Sequence, residues 1–199
     1  MNIKHVYING ASGCGKSFYV KNTILKEALL KKVKTLIIDP EDEYNFPKIK
    51  NIKKIGEFFK KYNVVRYVPD ITKKIDDVLN EVDEIYRYIF NNCRNMLIII
   101  DEAPTVGASQ NKYSMGLIAI LTRGRKRGLK AVLISQRISQ MNKTITGNCR
   151  IKIFFKCAED IDWDRYKQIN REAYEFLKNS PYPYARVRID DGNIIEKEG

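Results

Sequence analysis

Residues 10–17 read Gly-Ala-Ser-Gly-Cys-Gly-Lys-Ser, which satisfies the P-loop pattern G-x-x-x-x-G-K-[ST]. Glycines at 10, 13 and 15 let the backbone curl until successive N–H groups face one phosphate. Lys16 reaches the β- and γ-phosphates of a nucleoside triphosphate, and the Ser17 hydroxyl is a ligand for Mg²⁺. An apolar run before the motif, Ile3 to Ile8, has the makings of a strand, and Phe18 to Lys32 those of a helix. That strand–loop–helix setting is the one the motif needs, with the helix dipole adding to phosphate affinity. The expected nucleotide contacts are Gly10, Ala11, Ser12, Gly13, Cys14, Gly15, Lys16, Ser17 and Phe18.

A second constellation lies at Met96-Leu97-Ile98-Ile99-Ile100-Asp101-Glu102. It has the form of a Walker B strand, in which an apolar run carries Asp101 to a sheet edge to hold Mg²⁺. The carboxylate that follows, Glu102, is placed to take a proton from an attacking water. Its presence points away from kinases and GTPases and towards ATPases that convert hydrolysis into motion. Gln136 ends another apolar run, Leu129 to Ser135. There it either senses the γ-phosphate and lytic water or caps a loop. Ahead of that run stands Thr122-Arg123-Gly124-Arg125-Lys126-Arg127-Gly128. This block reads as a phosphate-backbone patch, a solvated helix end, or an arginine finger acting on a neighbouring subunit; sequence does not choose among its three arginines.

The elements that must position these groups alternate along the chain. Strands are expected at Lys34–Asp39, Val64–Val68, Met96–Asp101, Leu129–Ser135 and Arg150–Phe155. Helices are expected at Ile52–Tyr62, Thr72–Phe90, Tyr113–Lys126 and over most of Glu159–Leu177. Tyr184–Ile189 and Asn193–Glu196, joined at Asp191-Gly192, read as a closing hairpin. Alternation of this kind gives an α/β fold with a mostly parallel sheet covered on both faces, and ligands gather at the carboxyl ends of its strands. No Pro/Gly/Ser-rich linker divides the chain, so one domain over residues 1–199 is expected.

Of 199 residues, 44% are hydrophobic and 30% charged, the composition of a globular chain. No apolar run approaches the ~20 residues of a membrane span, and no signal-peptide layout is present, so an intracellular protein is expected. Cys14, Cys93, Cys149 and Cys157 lack metal or redox spacing and read as scattered thiols. The formal net charge of +12 favours an anionic partner, nucleic acid first. Trp163, Tyr166 and Tyr174 read as core aromatics rather than base-stacking platforms. Tyr182 and Tyr184 line either the nucleotide pocket or a subunit contact.

These motifs together resemble the FtsK/HerA superfamily of DNA-pumping ATPases, and within it the small genome-packaging ATPases of viruses with internal membranes. Besides the P-loop and Asp101-Glu102-Ala103, the resemblance rests on Asp39-Pro40-Glu41-Asp42-Glu43-Tyr44, similar to the family's D-P-x-x-E-Y. It rests also on Arg125-Lys126-Arg127-Gly128-Leu129 with Ser135-Gln136-Arg137, similar to its G-R-x-x-G-L and T-Q-R block. The resemblance spans about residues 3 to 157. It implies a three-layer RecA-like (ASCE) P-loop NTPase fold that uses ATP and Mg²⁺. It implies a hexameric ring of identical subunits that translocates double-stranded DNA.

In that frame Lys16 and Ser17 serve phosphate and metal, Asp101 the metal, Glu102 the water, and Gln136 the sensor. Arg125 is the best match to the finger and Arg123 the second. Asp39 and Glu43 match the family's acidic turn without a physical role of their own. The resemblance leaves three further tasks open: a HerA-like DNA helicase or conjugation ATPase, an ATPase of filamentous-phage assembly, and a nucleotide-gated interaction protein with little turnover. Cellular relatives carry added spans or domains. A bare ATPase core is expected to be anchored by another molecule, a capsid or vertex protein, in the host cytoplasm beside the assembling virion.

Overall fold

Short runs of Val, Ile and Leu form the central strands because both of their faces are covered. Every residue of β4 (Met96–Ile100) and of β1 (Val6–Asn9) is buried. The structure is a computed structural model that describes residues 4–199. The expected first strand therefore begins, at Ile3, outside the described residues.

The other strands are β2 (Lys34–Ile38), β3 (Val64–Tyr67), β5 (Leu129–Ser135), β6 (Ile151–Phe155), β7 (Arg186–Asp190) and β8 (Asn193–Glu198). They form one eight-stranded sheet in the order β3-β2-β4-β5-β1-β6-β7-β8. From β3 to β6 all pairings are parallel, and β7 and β8 add antiparallel. The register pairs Asn9 with Ser135 and Ile38 with Ile100. The residues that follow β1, β2, β4 and β5 therefore emerge along one edge, the carboxyl edge. The closing hairpin is present and extends this sheet. Its turn holds Asp191 at φ 47° and Gly192 at φ 88°, the two positive values of a tight hairpin turn.

Alternate strand residues point to opposite faces, and two separate cores result. Leu36, Ile38, Ile98 and Ile100 face one core, where α4 (Ile75–Asn92), α5 (Met115–Arg123), α7 (Asp160–Ile169) and α8 (Arg171–Asn179) pack. Ile37 and Ile99 face the other, against Val20, Leu25 and Ala28. These last belong to a continuous helical stretch: α1 (Lys16–Tyr19), a π-helical segment (Val20–Leu25) and α2 (Lys26–Leu30). The layers are helix, sheet, helix. In α4 the buried positions 78, 82, 85, 86 and 89 recur at helical spacing.

Some boundaries differ from expectation. The expected helix at 52–62 shrinks to a 3₁₀ turn (Ile52–Lys54) and α3 (Ile55–Phe58). The long C-terminal helix breaks at Asn170, whose extended φ of −158° ends α7 while its side chain accepts from Ala173 N at 2.8 Å and caps α8. A short α6 (Lys143–Gly147) was not foreseen; Asn142 caps it by accepting from Thr144 N and Ile145 N. Trp163 and Tyr166 are buried, as expected of core aromatics.

His5 enters β1 fully buried, its Nδ1 accepting from Ala131 N at 3.0 Å. Burial, helped by the Arg125 charge, pushes its pKa down to about 4. The unfolded chain takes a proton near pH 6.5 and the native one does not, so stability is lost as pH falls from 6.5 towards 4. The expected loss from this residue is about 3 kcal/mol, measurable as a drop in denaturation midpoint between pH 7 and pH 4.5. A midpoint independent of pH over that range would refute the assignment.

Candidate active site

The P-loop leaves β1 through backbone bonds to its neighbours: Gly10 N donates to Ser135 O and Ala11 N to Lys156 O. A Cβ on Gly10 would lie 2.6 Å from Phe155 Cβ and 2.8 Å from Cys14 Sγ, so only glycine fits there. Gly15 stands at φ 97° as the residue before α1, a conformation glycine adopts without steric cost. Lys16 is buried and its Nζ donates to Ala11 O at 2.7 Å, which holds the ammonium across the mouth of the loop.

Beneath the loop lies a buried polar network. The hydroxyls of Tyr7 and Ser135 reach Asn9 Oδ1 at 2.9 and 2.7 Å. Asn9 Nδ2 donates to the Tyr166 hydroxyl at 2.8 Å, and that hydroxyl donates to Asn9 O at 3.0 Å. Tyr166 is itself stacked on Phe154 at 4.0 Å. A satisfied network of this kind rigidifies what it supports, here the base of the phosphate loop.

Asp101 and Glu102 leave β4 beside the loop. Asp101 is nearly buried; its carboxylate accepts from the Tyr44 hydroxyl at 2.9 Å and from Glu102 N at 3.0 Å. Burial pushes the Asp101 carboxyl upward and the Tyr44 hydrogen bond pulls it back. Glu102 sits at φ 40°, a left-handed conformation rare for a non-glycine residue and frequent at functional sites. Its Oε1 accepts from Gln136 Nε2 at 2.7 Å. Burial raises the Glu102 carboxyl above the usual carboxylate range, against the opposing effect of Gln136.

Tyr44 gains from the structure a role that the sequence does not give it. Asp39, fully buried at the end of β2, accepts from Glu43 N and Tyr44 N, both at 3.0 Å, and from Arg66 Nη1 at 3.1 Å. Asp39 thus folds the acidic turn, the turn delivers Tyr44, and Tyr44 orients Asp101. Glu43 enters this chain through its backbone N–H.

Ser17 and Asp101 offer the hard oxygen donors that Mg²⁺ takes alongside water and phosphate, so the residues present fit that ion. Among the described residues no cluster of three His, Cys, Asp or Glu forms an all-protein metal site. Beside the loop opens a cavity of about 830 Å³ lined by Gly15, Phe18, Thr23, Phe155, Tyr184 and Arg186 among others. Tyr184 thus lines the cavity that adjoins the P-loop. Tyr182 lies apart from it, beside Phe176 and Lys197.

The structure brings Lys16, Ser17, Asp101, Glu102 and Gln136 to one edge, and it does not bring the arginines there. Arg123 ends α5, and Arg125 and Arg127 lie in a 3₁₀ turn (Gly124–Arg127) that precedes β5. The seven-residue β5 separates that turn from Gln136, a rise of roughly 20 Å. None of the three reaches the P-loop of its own subunit. Arg127 stacks on Phe90 at 4.4 Å, whereas Arg123 and Arg125 are exposed.

Residues 2–96 match the family described as Helicase HerA, central domain. Among curated proteins, Protein P9 of Pseudoalteromonas phage PM2 is 24% identical over 197 residues, with 96% of this chain and 87% of that protein covered. The chain is similar to the FtsK/HerA-type viral packaging ATPases. Among solved structures, the genome packaging NTPase B204 of Sulfolobus turreted icosahedral virus 2, in complex with AMPPCP, superposes with a TM-score of 0.80 at 18% identity. That match covers 100% of this chain and 98% of the other. B204 of Sulfolobus turreted icosahedral virus, described as a DNA-packaging ATPase, gives 0.75 at 19% over the same shares. At these identities the likeness establishes the fold, a three-layer P-loop NTPase. The P-loop, Asp101, Glu102 and Gln136 lie where the carboxyl ends of its strands converge.

Proposed function

We propose that the chain is an ATP-hydrolysing motor that moves double-stranded DNA, packaging a viral genome into a capsid. The observation that carries it is the Glu102 carboxylate, held by Gln136 at the exit of β4 beside Asp101 and the P-loop. In this reading the P-loop N–H groups and Lys16 hold the triphosphate, and Ser17 and Asp101 hold Mg²⁺, which neutralises phosphate charge. Glu102 takes the proton of the attacking water as its oxygen bonds the γ-phosphorus and the bond to the β-phosphate oxygen breaks. Gln136 binds Glu102 in the resting site and is placed to turn to the γ-phosphate, so each hydrolysis event is registered at the end of β5. The cavity beside the loop receives the base, with Tyr184 along its wall.

Arg125, with Arg123 beside it, would act on the site of the next subunit, a reading supported by their distance from the P-loop of their own, and a ring would close the set. A capsid or vertex protein would anchor that ring; among the described residues no helix is long and apolar enough to cross a membrane. The match to the HerA helicase central domain favours a second reading, a DNA helicase with the same site and a different task.

The test is ATP turnover with and without duplex DNA, with oligomer size measured in the same buffer. Turnover is expected to rise with DNA in a ring-sized species. Turnover indifferent to DNA would refute the motor, and nucleotide binding without turnover would point to a switch. Mixing Arg125→Ala with Lys16→Ala subunits is expected to recover part of the activity, and no recovery at any ratio would remove the trans arginine.

A further inference from the structure

The segment between β2 and β3 carries a charge pattern that the nucleotide site does not use. From Pro47 to Asn63 it holds six lysines against one acid, Glu57. Lys50, Lys53, Lys54, Lys60 and Lys61 are all exposed, and none forms an ion pair within the described residues. Lys53 and Lys54 end the 3₁₀ turn and Lys60 and Lys61 follow α3, with Glu57 between them, and all five make up the segment's solvent-exposed face. The other face is apolar: Ile55 is buried, and Ile52, Phe58 and Phe59 pack against the larger core. Asn51 starts the segment by accepting from Lys53 N at 3.0 Å, and the Tyr88 hydroxyl of α4 donates to Lys53 O. The lysine face is therefore held outward by its own apolar side.

The strip is longer than its segment. The register pairs Thr35 with Val64, and Thr35 N donates to Asn63 O at 2.8 Å. This sets exposed Lys34 beside the residues that follow Lys60 and Lys61, with Lys32 next to it. At the other end, Ile49 N and Pro47 O bond the backbone of Arg66 along the outer edge of β3. A fixed row of cations runs across the β3 end of the sheet. It turns onto the amino edge, away from the P-loop and Glu102 at the carboxyl edge. A polyanion laid along these ammonium groups releases its own counterions.

We propose that this lysine strip is the surface with which the chain holds the phosphate backbone of duplex DNA. The proposal rests on the motor reading and adds the contact that reading lacks. Contacts made only by ammonium groups on an exposed face read no base sequence, as a motor that must pass every sequence requires. The ammonium groups lie on a packed element continuous with the sheet, so force at the strip passes to β2 and β3.

The variant Lys53→Gln/Lys54→Gln/Lys60→Gln/Lys61→Gln tests this. A control, Lys74→Gln/Lys143→Gln/Lys167→Gln/Lys178→Gln, makes the same change in net charge elsewhere. Binding of a labelled duplex is measured against salt, with ATPase rates with and without DNA. In the strip variant the slope of log affinity against log salt is expected to shrink by about 3 to 4, from about 0.9 per lost phosphate contact. Affinity at low salt is expected to fall at least tenfold and DNA stimulation to vanish, with basal turnover unchanged. The corresponding Lys→Arg variant retains the slope. An unchanged slope in the strip variant, or an equal loss in the control, overturns the strip and leaves the motor reading standing. A wild-type protein that binds no duplex, or binds it with no rise in turnover, overturns both; anionic vesicles bound in its place would mark the strip as a lipid surface.

Discussion

Glu102→Gln is expected to bind ATP as the wild type does and to hydrolyse it at least a hundredfold more slowly. General-base catalysis contributes about 10² to 10⁴ in rate, and the amide keeps the size and the hydrogen-bond reach of the carboxylate while losing the basic oxygen. The pH profile gives a second measure. Burial raises the Glu102 carboxyl, and the base works only when ionised. Turnover in the wild type should therefore fall on acidification at a pH above the ordinary carboxylate range. In Glu102→Gln the residual rate should lack that acid limb. Single-turnover hydrolysis with prebound ATP separates chemistry from binding; a wild-type rate in the variant would sink the assignment of the base.

Asp39→Ala is expected to be the most damaging substitution outside the phosphate contacts. It removes the acceptor for Glu43 N, Tyr44 N and Arg66 Nη1 at a position with no solvent access. Arg66 keeps its pair with the exposed Asp42 and loses the buried one. Unpaired buried donors and a broken buried ion pair together cost about 3 kcal/mol or more, read as a lower denaturation midpoint. Turnover should fall as well, because the turn no longer presents Tyr44 to Asp101. Tyr44→Phe separates the two effects. It keeps the ring and removes one hydrogen bond, for about 1 kcal/mol of stability. It frees the Asp101 carboxylate to rotate, so the Mg²⁺ concentration needed for half-maximal turnover should rise. A variant with wild-type Mg²⁺ dependence would show that Tyr44 does not orient the metal ligand.

The element pattern was legible because a strand buried on both faces must be apolar throughout. Met96–Ile100 and Leu129–Ser135 have no other use for such runs, and both lie within a residue of where they were expected. Segments with mixed patterns were less legible. Residues 52–62 have helical spacing, yet the chain must reach β3 in few residues, and only Ile55–Phe58 completes an α turn. At Asn170 a side-chain cap outcompetes helix continuation, a choice between two local hydrogen-bond sets that spacing does not reveal.

The sequence by itself determined the phosphate loop, the two carboxylates after β4 and the glutamine after β5. Each motif is local, and its chemistry depends on residues within a few positions of one another. Tertiary structure alone decided the rest, because it depends on groups far apart in the chain. Asp39, Tyr44 and Asp101 become one relay only when β2 and β4 pair, and Tyr166 reaches Asn9 only after α7 packs back on the sheet. The arginine block and Glu102 are separated by the length of one strand, a distance no spacing rule displays. That separation keeps the arginines out of the site of their own subunit.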